Sequence, residues 1–195
     1  MVHSKLKKDV LTHDEGLLAL KIVRENIESY LNDNLYECEY ELPEIFYEKR
    51  GAFVTLNKRG QLRGCIGYSE PYEKLIDALL DVSLAAAFDD PRFNPLTMDE
   101  FEEVDIEISV LTKPQIIDVE NYSEYLSAIE IGSDGLIIEK GFNKGLFLPQ
   151  VPVEQSWNIE EYLTNLCYKA GLAGNSWMDD DCKLYSFQAQ IFSEQ

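Results

Sequence analysis

The sequence predicts an α+β fold in which helices flank a largely antiparallel β-sheet. Helix-like and strand-like segments are mixed without regular alternation, and short turns join several of the strands, which is typical of this class. The 195 residues are 45% apolar and 27% charged, as in ordinary globular proteins, and they suffice for one sizeable core. We therefore expect a single domain over residues 13–195, preceded by a flexible N-terminal arm over residues 1–12.

The first predicted elements are a helix and a β-hairpin. Thr12 and Glu15 have the spacing of a capping box, and apolar residues follow at helical intervals, which predicts a helix over residues 13–31. Residues 52–56 and 61–68 have strand-like composition and are separated by a four-residue turn segment that contains a glycine. These two segments predict the hairpin.

A second helix, a stiff loop and a strand follow in the middle of the chain. Pro71 suits a first helical turn, and the apolar residues after it share one face, which predicts a helix over residues 71–88. Two prolines stiffen the loop at residues 89–96. Residues 104–110 alternate between apolar and polar side chains, as a half-buried strand does.

The remaining elements are shorter. Their patterns predict a helix near residues 121–128, strands at 135–139 and 145–149, a helix over 159–170 and a C-terminal strand over 185–191. No internal repeat or low-complexity linker divides this part of the chain, which supports the single-domain prediction.

The net charge of the chain excludes some classes of binding partner. A net charge of −19, from 36 acidic and 17 basic side chains, repels nucleic acid and anionic membranes. The one basic cluster, Lys5, Lys7 and Lys8, lies in the N-terminal arm and has no interleaved aromatic residues. The sequence contains neither an 18-residue apolar run nor a signal-peptide pattern. We expect a cytoplasmic protein with no direct nucleic-acid or membrane partner.

Cysteine and histidine positions exclude several kinds of site. The four cysteines show no C-x-x-C pairing, so we expect free thiols, no metal site and no cofactor. The only histidines, His3 and His13, lie near the N-terminus and leave no internal imidazole for a Cys–His or Ser–His dyad. Cys167 shares the apolar face of its predicted helix, which favours a structural, buried thiol.

Residues 62–67, LRGCIG, form the most unusual segment. Gly64 and Gly67 weaken a strand and are typical of places where a ligand or another backbone comes close. Strand alternation places Arg63 and Cys65 on one face, where a guanidinium favours the thiolate. The alternative interpretation is a buried, inert Cys65 beside an outward-facing Arg63.

Two further segments carry candidate ligand-binding residues. The loop at 89–95 combines Asp90, Arg92 and Phe93 between stiffening prolines, and rigid polar loops often bind ligands. Alternatively, it is a surface turn in which Arg92 pairs with Asp89 or Asp90. Gln150 lies between two prolines at the end of a predicted strand, where the alternative is an edge-strand terminus.

Several ordered motifs resemble the AMMECR-one domain family, the family of the AMME syndrome chromosomal region candidate protein. The resemblance runs from about residue 14 to the end and is carried by residues 51–56, 62–67, 85–95, 108–111, 134–136, 148–152 and 167–172. The pair Asp134–Gly135 resembles the prokaryotic branch, which is grouped with Memo-like and radical-SAM proteins as system protein A.

The resemblance implies an α+β fold of two interlocked lobes with a cleft near residues 62–67, but it implies no particular reaction. This chain lacks the C-x-x-x-C-x-x-C pattern of a radical-SAM enzyme, so any such chemistry would belong to a partner. A role near transcription, repair or translation is a family suggestion that the acidic composition disfavours.

Joining these segments leads to two functional hypotheses. In the first, Cys65 is the nucleophile or thiol ligand, Arg63 clamps an anionic group, and Asp90 is the acid–base partner. Residues expected to contact the small-molecule ligand are Gly64, Ile66, Gly67, Arg92, Phe93 and Gln150. In the second, the protein is a non-catalytic accessory that presents the same surface to Memo-like and radical-SAM partner proteins. Both hypotheses expect Arg63, Cys65, Asp90 and Arg92 to converge on one concave surface.

Overall fold

The computed structural model describes residues 11–194, and within them the chain forms two compact units. The first comprises the described residues through Thr112 and those from Gln190 onward, and the second is Lys113–Ala189. Residues 1–10 of the predicted arm lie outside the described residues. Its last two residues are ordered, because Leu11 is buried and bonded to Gln190 while Thr12 caps the first helix.

Six α-helices occur among the described residues. They are α1 His13–Leu31, α2 Leu75–Leu84, α3 Met98–Phe101, α4 Tyr125–Ala128, α5 Gln150–Glu154 and α6 Ile159–Lys169. The predicted capping box at Thr12 and Glu15 is confirmed, and a second one, at Asn158 and Glu161, begins α6. No helix within residues 11–194 is both long enough and apolar enough to cross a membrane.

The first unit is built on a four-stranded sheet. Its strands lie in the order β2-β1-β3-β8 and are β1 Ala52–Lys58, β2 Gln61–Tyr68, β3 Val104–Leu111 and β8 Ala189–Ser193. The predicted hairpin is confirmed, and its turn is the pair Arg59–Gly60, both with positive φ, as a tight hairpin requires. One face of β1 and β3 packs against α1 and α2 in the core.

The second unit has its own sheet and core. Its strands lie in the order β4-β7-β5-β6 and are β4 Gln115–Ile116, β5 Gly135–Lys140, β6 Asn143–Phe147 and β7 Lys183–Phe187. Helix α6 packs on this sheet through Leu163, Leu166 and Cys167, all fully buried. The predicted burial of Cys167 is confirmed. The antiparallel α+β class is also confirmed, although two sheets replace the single one that the strand patterns suggested.

The predicted helix at 71–88 begins later than its pattern indicated. Residues before Leu75 are held instead by the chain at 48–50: Leu75 donates its N–H to the Glu48 carbonyl at 2.8 Å, and Arg50 donates to the Glu73 carbonyl at 3.2 Å. These long-range hydrogen bonds use the backbone N–H and carbonyl groups that a helix beginning at Pro71 would need for its own hydrogen bonds. At its other end, α2 continues as a π-helical turn over Ala85–Asp89.

Two other boundaries differ from prediction. The C-terminal alternation at 185–191 belongs to two strands, since β7 ends at Phe187 in the second sheet and β8 begins at Ala189 in the first. Period-two alternation marks strands but does not say which sheet each joins. Gln150 was predicted to end a strand, but β6 ends at Phe147 and Gln150 is the first residue of α5.

Candidate functional site

Strand β2 lies at the edge of the first sheet and carries a bulge at Arg63. Leu56 of β1 pairs with Gly64, and the next residue, Asn57, pairs with Leu62, so Arg63 is the extra residue in β2. A bulged residue is released from the regular ladder, and its side chain takes a new direction. Here the bulge directs a long cation toward the loop that follows α2.

The Arg63 side chain is buried and held by a carboxylate. The residue is 9% exposed, and its Nη2 donates to Glu100 Oε2 and to the Asn94 carbonyl, each at 2.9 Å. Lys58 reaches the other oxygen of Glu100 at 3.3 Å. The hydrogen bond from Arg63, followed by that from Lys58, lowers the pKa of Glu100 to about 2 despite the opposing effect of burial. Arg63 thus pairs with Glu100 in place of the predicted thiolate.

Gly64 leaves room for the π-helical turn rather than for a ligand. A Cβ at this position would lie 2.2 Å from the Ala86 carbonyl oxygen, which is closer than any real contact. The backbone of the π-helical turn therefore lies directly against the backbone of β2. A glycine in a strand is typical of a close approach by a ligand or by another backbone, and here it is another backbone. This approach places the next residues of the loop, starting with Asp90, alongside Cys65.

Asp90 and Arg92 bind the backbone of Cys65 as a neighbouring strand would. Asp90 Oδ2 accepts the Cys65 N–H at 2.9 Å, and Arg92 Nη2 donates to the Cys65 carbonyl at 3.0 Å. The two side chains also pair with each other, with Arg92 Nη2 2.7 Å from Asp90 Oδ2 and Nε 2.9 Å from Oδ1. We call these two residues the edge clasp. It satisfies edge groups of β2 that would otherwise lack partners.

The edge clasp keeps Asp90 ionised. The hydrogen bonds from Arg92, and then from the Cys65 N–H, hold the pKa of this buried carboxyl far below its usual range, against the effect of burial. The pKa of Arg92 is raised, chiefly by its hydrogen bond to Asp90.

A depression opens beside the edge clasp. It has a volume of about 420 Å³ and is lined by Arg63, Pro91, Arg92, Phe93, Asn94 and Glu100. The guanidinium carbons of Arg63 and Arg92 lie 5.7 and 5.6 Å from the centre of the Phe93 ring. One aromatic ring therefore contacts both cations.

The Cys65 thiol lies in a polar cross-strand row. Thr55, its direct neighbour on β1, donates its hydroxyl to the sulfur at 3.3 Å. On the far side of Thr55, the register of β3 places Glu107 directly opposite. Because side chains of directly opposed residues share a face, the row combines a thiol, a hydroxyl and a carboxylate.

Glu107 is a residue that sequence reasoning missed. Its alternation with buried Ile106 and Ile108 placed it on the polar face of a strand. The register against β1 was needed to bring it into the row of Cys65, and periodicity alone does not supply register.

The other predicted residues occupy different surroundings. Ile66 packs against the first core cluster, and the Phe53 ring occupies the space beside Gly67, where a Cβ would lie 2.3 Å from it. Gln150 is exposed and belongs to the second unit. The contact network of the first unit therefore joins Arg63, Cys65, Asp90, Arg92 and Phe93.

These features lie in a region shared with known proteins. A model of the family described as AMMECR1 matches residues 20–192, which is most of the chain. The chain belongs to the AMMECR1 family. The resemblance read from its motifs is thereby confirmed at the level of the family.

Archaeal relatives support this assignment to AMMECR1 over nearly the full length. A protein of Methanothermobacter thermautotrophicus is 48% identical over 191 residues, covering 97% of this chain and 99% of its own. Protein MJ0810 of Methanocaldococcus jannaschii is 49% identical over 187 residues, covering 95% and 92%.

A solved structure shows the same AMMECR1 fold. The crystal structure of uncharacterized protein PH0010 from Pyrococcus horikoshii superposes with a TM-score of 0.74 at 41% identity, covering 95% of this chain and 94% of that one. The fold assignment therefore rests on an experimental neighbour. The names of these three relatives specify no reaction, substrate or partner.

Proposed function

We propose that this AMMECR1 protein binds a small anionic molecule in the depression and uses the Cys65 thiol for thiol-dependent binding or catalysis. The observation that carries the proposal is the edge clasp. Through Asp90 and Arg92 it ties the loop that lines the depression to the backbone of Cys65. The clasp fixes the cationic lining beside the Cys65 backbone, although Cys65 itself is not one of the lining residues.

Each residue has a distinct role in this proposal. The Thr55 hydroxyl donates to the Cys65 sulfur and orients the thiol within the cross-strand row. Glu107 lies opposite Thr55 and two strands from Cys65, so it is an acid–base candidate that would act through the Thr55 hydroxyl. Both carboxylate oxygens of Asp90 accept hydrogen bonds, and the group stays ionised, so Asp90 acts as a positioning residue.

The residues that line the depression would contact the ligand. Arg63 and Arg92 attract the anionic group, and Phe93 supplies an apolar face. Gly64 and Gly67 shape the strand, and Ile66 anchors it to the core.

Thiol reactivity tests the proposal. We expect native protein at pH 7 to react with iodoacetamide at Cys65 faster than at Cys38, the other half-buried thiol. Peptide mass spectrometry assigns the site, and the variants Cys65→Ser and Cys38→Ser serve as a matched pair. If Cys65 reacts no faster than Cys38 or a model thiol, the thiol-dependent function is wrong.

The second candidate is a non-catalytic accessory that works with Memo-like and radical-SAM partner proteins of the system to which the prokaryotic branch is assigned. It is supported by charged groups at the depression that already pair with one another, Arg92 with Asp90 and Arg63 with Glu100. A surface of this kind suits recognition without chemistry. Binding of the purified partner candidates that is lost in Arg92→Glu and kept in Cys65→Ser would favour this role.

A further inference from the structure

We propose that Arg63 and Arg92 form a binding site for an oxyanion group, a carboxylate or a phosphate, and that Glu100 is an internal anion with which the ligand competes. This inference rests on the proposed function, because it names the ligand class of the same depression. It concerns only the cationic lining and requires nothing of the Cys65 thiol.

The guanidinium of Arg63 is not fully satisfied. Its Nη2 and Nε bind Glu100 and Asn94, but its buried Nη1 has no acceptor within residues 11–194. A buried donor without a partner carries a desolvation penalty, so an oxygen that reaches it is stabilised. Arg63 is nine-tenths buried and lines the depression, which makes it a built part of this site.

Arg92 supplies the second, more accessible cation. Its Nε and Nη2 are used by the edge clasp, which leaves Nη1 outside these contacts, and its side chain is 53% exposed. Because the edge clasp fixes the guanidinium plane, an anion meets a preorganised donor and loses little side-chain entropy on binding. Phe93 lies within cation–π distance of both guanidinium groups, so the two cations share one aromatic neighbour.

The ion pairs around the depression contain more cations than carboxylates. The ion pairs around the depression join four cations, Lys58, Arg59, Arg63 and Arg92, to three carboxylates, Asp90, Glu100 and Glu103. This group therefore has one positive charge in excess, in a chain whose net charge is −19. Among the lining residues, Arg63 and Arg92 outnumber the single carboxylate of Glu100, and this excess attracts an anion at short range.

Glu100 already shows how Arg63 holds an oxyanion. Its two carboxylate oxygens face Nη2 at 2.9 Å and Nε at 3.4 Å, the side-on geometry of an arginine–carboxylate pair. The side chain is 30% exposed and sits on the short helix α3 at the rim of the depression. Glu100 binds Arg63 and Lys58 but not Arg92, so a ligand that bridges both arginines gains a contact that Glu100 lacks.

Arginine side-chain NMR provides the test. The chain has five arginines, so the Nε–H signals of Arg63 and Arg92 are assigned by the variants Arg63→Lys and Arg92→Lys. Sodium phosphate and sodium acetate are titrated separately at constant ionic strength and pH 7. We expect saturable shifts of both signals. Shifts with phosphate alone, with acetate alone or with both each support the site and assign its oxyanion, whereas no saturable shift of either signal overturns it.

Two glutamine variants test the internal anion. Glu100→Gln should tighten the binding of the titrated anion about tenfold, which corresponds to about 1.4 kcal/mol. Glu103→Gln is the matched control, because it removes the same charge from the same ion-pair network without touching Arg63. Equal tightening in both variants, or none in Glu100→Gln, overturns the competition by Glu100. Cys38→Ser, which changes a half-buried thiol outside the site, should bind the anion as the native protein does. The NMR titration reports on the two arginines and the iodoacetamide experiment reports on Cys65, so failure of the thiol function and failure of this site are separate results.

Discussion

The carboxylate of Asp90 accepts the backbone N–H of Cys65 at 2.9 Å across 25 residues of chain. Asp90 is 3% exposed. Its ion-pair partner, Arg92, donates a hydrogen bond to the carbonyl of the same residue, Cys65. An ion pair thus substitutes for a neighbouring strand at the edge of the sheet. The same contact makes the loop after α2 a rigid wall of the depression.

The edge clasp should contribute measurably to stability. Asp90→Asn keeps the shape of the side chain but removes the negative charge to which Arg92 and the Cys65 N–H donate. It should lower the free energy of unfolding by about 2 kcal/mol. Urea unfolding at pH 7 measures the loss. Asp89→Asn, at the neighbouring end of the π-helical turn, is the control and should stay within about 0.5 kcal/mol of native. Equal effects would show that the clasp contributes nothing specific.

Glu100 should make stability depend on acid pH. Its pKa of about 2 in the folded protein lies below the value of about 4.3 expected when unfolded. A lowered folded pKa contributes stability above the unfolded value, and that contribution is lost as the pH falls from about 5 toward 2.

The matching variant is Glu100→Gln. It should be less stable than native protein at pH 7, and the gap should narrow steadily as the pH is lowered to 3 in urea unfolding experiments. Glu103→Gln removes an ion pair with the largely exposed Arg59 and should show a smaller gap at every pH. A gap of constant size from pH 7 to pH 3 would contradict the assignment of the acid dependence to Glu100.

Gly64 should be intolerant of any side chain. Gly64→Ala drives a methyl group against the Ala86 carbonyl, which belongs to the backbone and cannot rotate away, so we expect a loss of more than about 2 kcal/mol. Gly60→Ala is a useful comparison, because open space surrounds that position and only its positive φ is unfavourable, at a cost of about 1 kcal/mol. Thermal melting distinguishes the two, and a larger loss in Gly60→Ala would refute the close approach.

Two serine variants separate the site thiol from the core thiol. Cys167 is fully buried, and burial raises the pKa of its thiol, so Cys167→Ser should cost about 1 to 3 kcal/mol by burying a poorly satisfied hydroxyl. Cys65 is half-buried beside the Thr55 hydroxyl, so Cys65→Ser should change stability by less than about 1 kcal/mol. Melting curves of both proteins suffice. The reverse order would make Cys65 the core thiol and remove the basis of the proposed function.

Local patterns in the sequence determined several elements of this protein. The capping box at Thr12 predicted where α1 begins, because the residues that cap a helix lie within one turn of each other. The hairpin at residues 52–68 followed from two strand segments around a glycine turn, and ordered motifs indicated the family. All of these signals act over short distances or are read directly as strings of residues.

The tertiary structure decided what depends on distant contacts. The start of α2 at Leu75 depends on backbone hydrogen bonds to residues 48–50. The division of the C-terminal segment into β7 and β8, on either side of Gln188, depends on which sheet each strand joins. The bond between Asp90 and Cys65 and the row that contains Glu107 depend on backbone approach and strand register. Periodicity specifies which face a residue occupies, but the neighbour across that face is set by how separate elements pack. For that reason the sequence offered the pairing of Arg92 with Asp90, two residues apart, but not the partners that come from other elements.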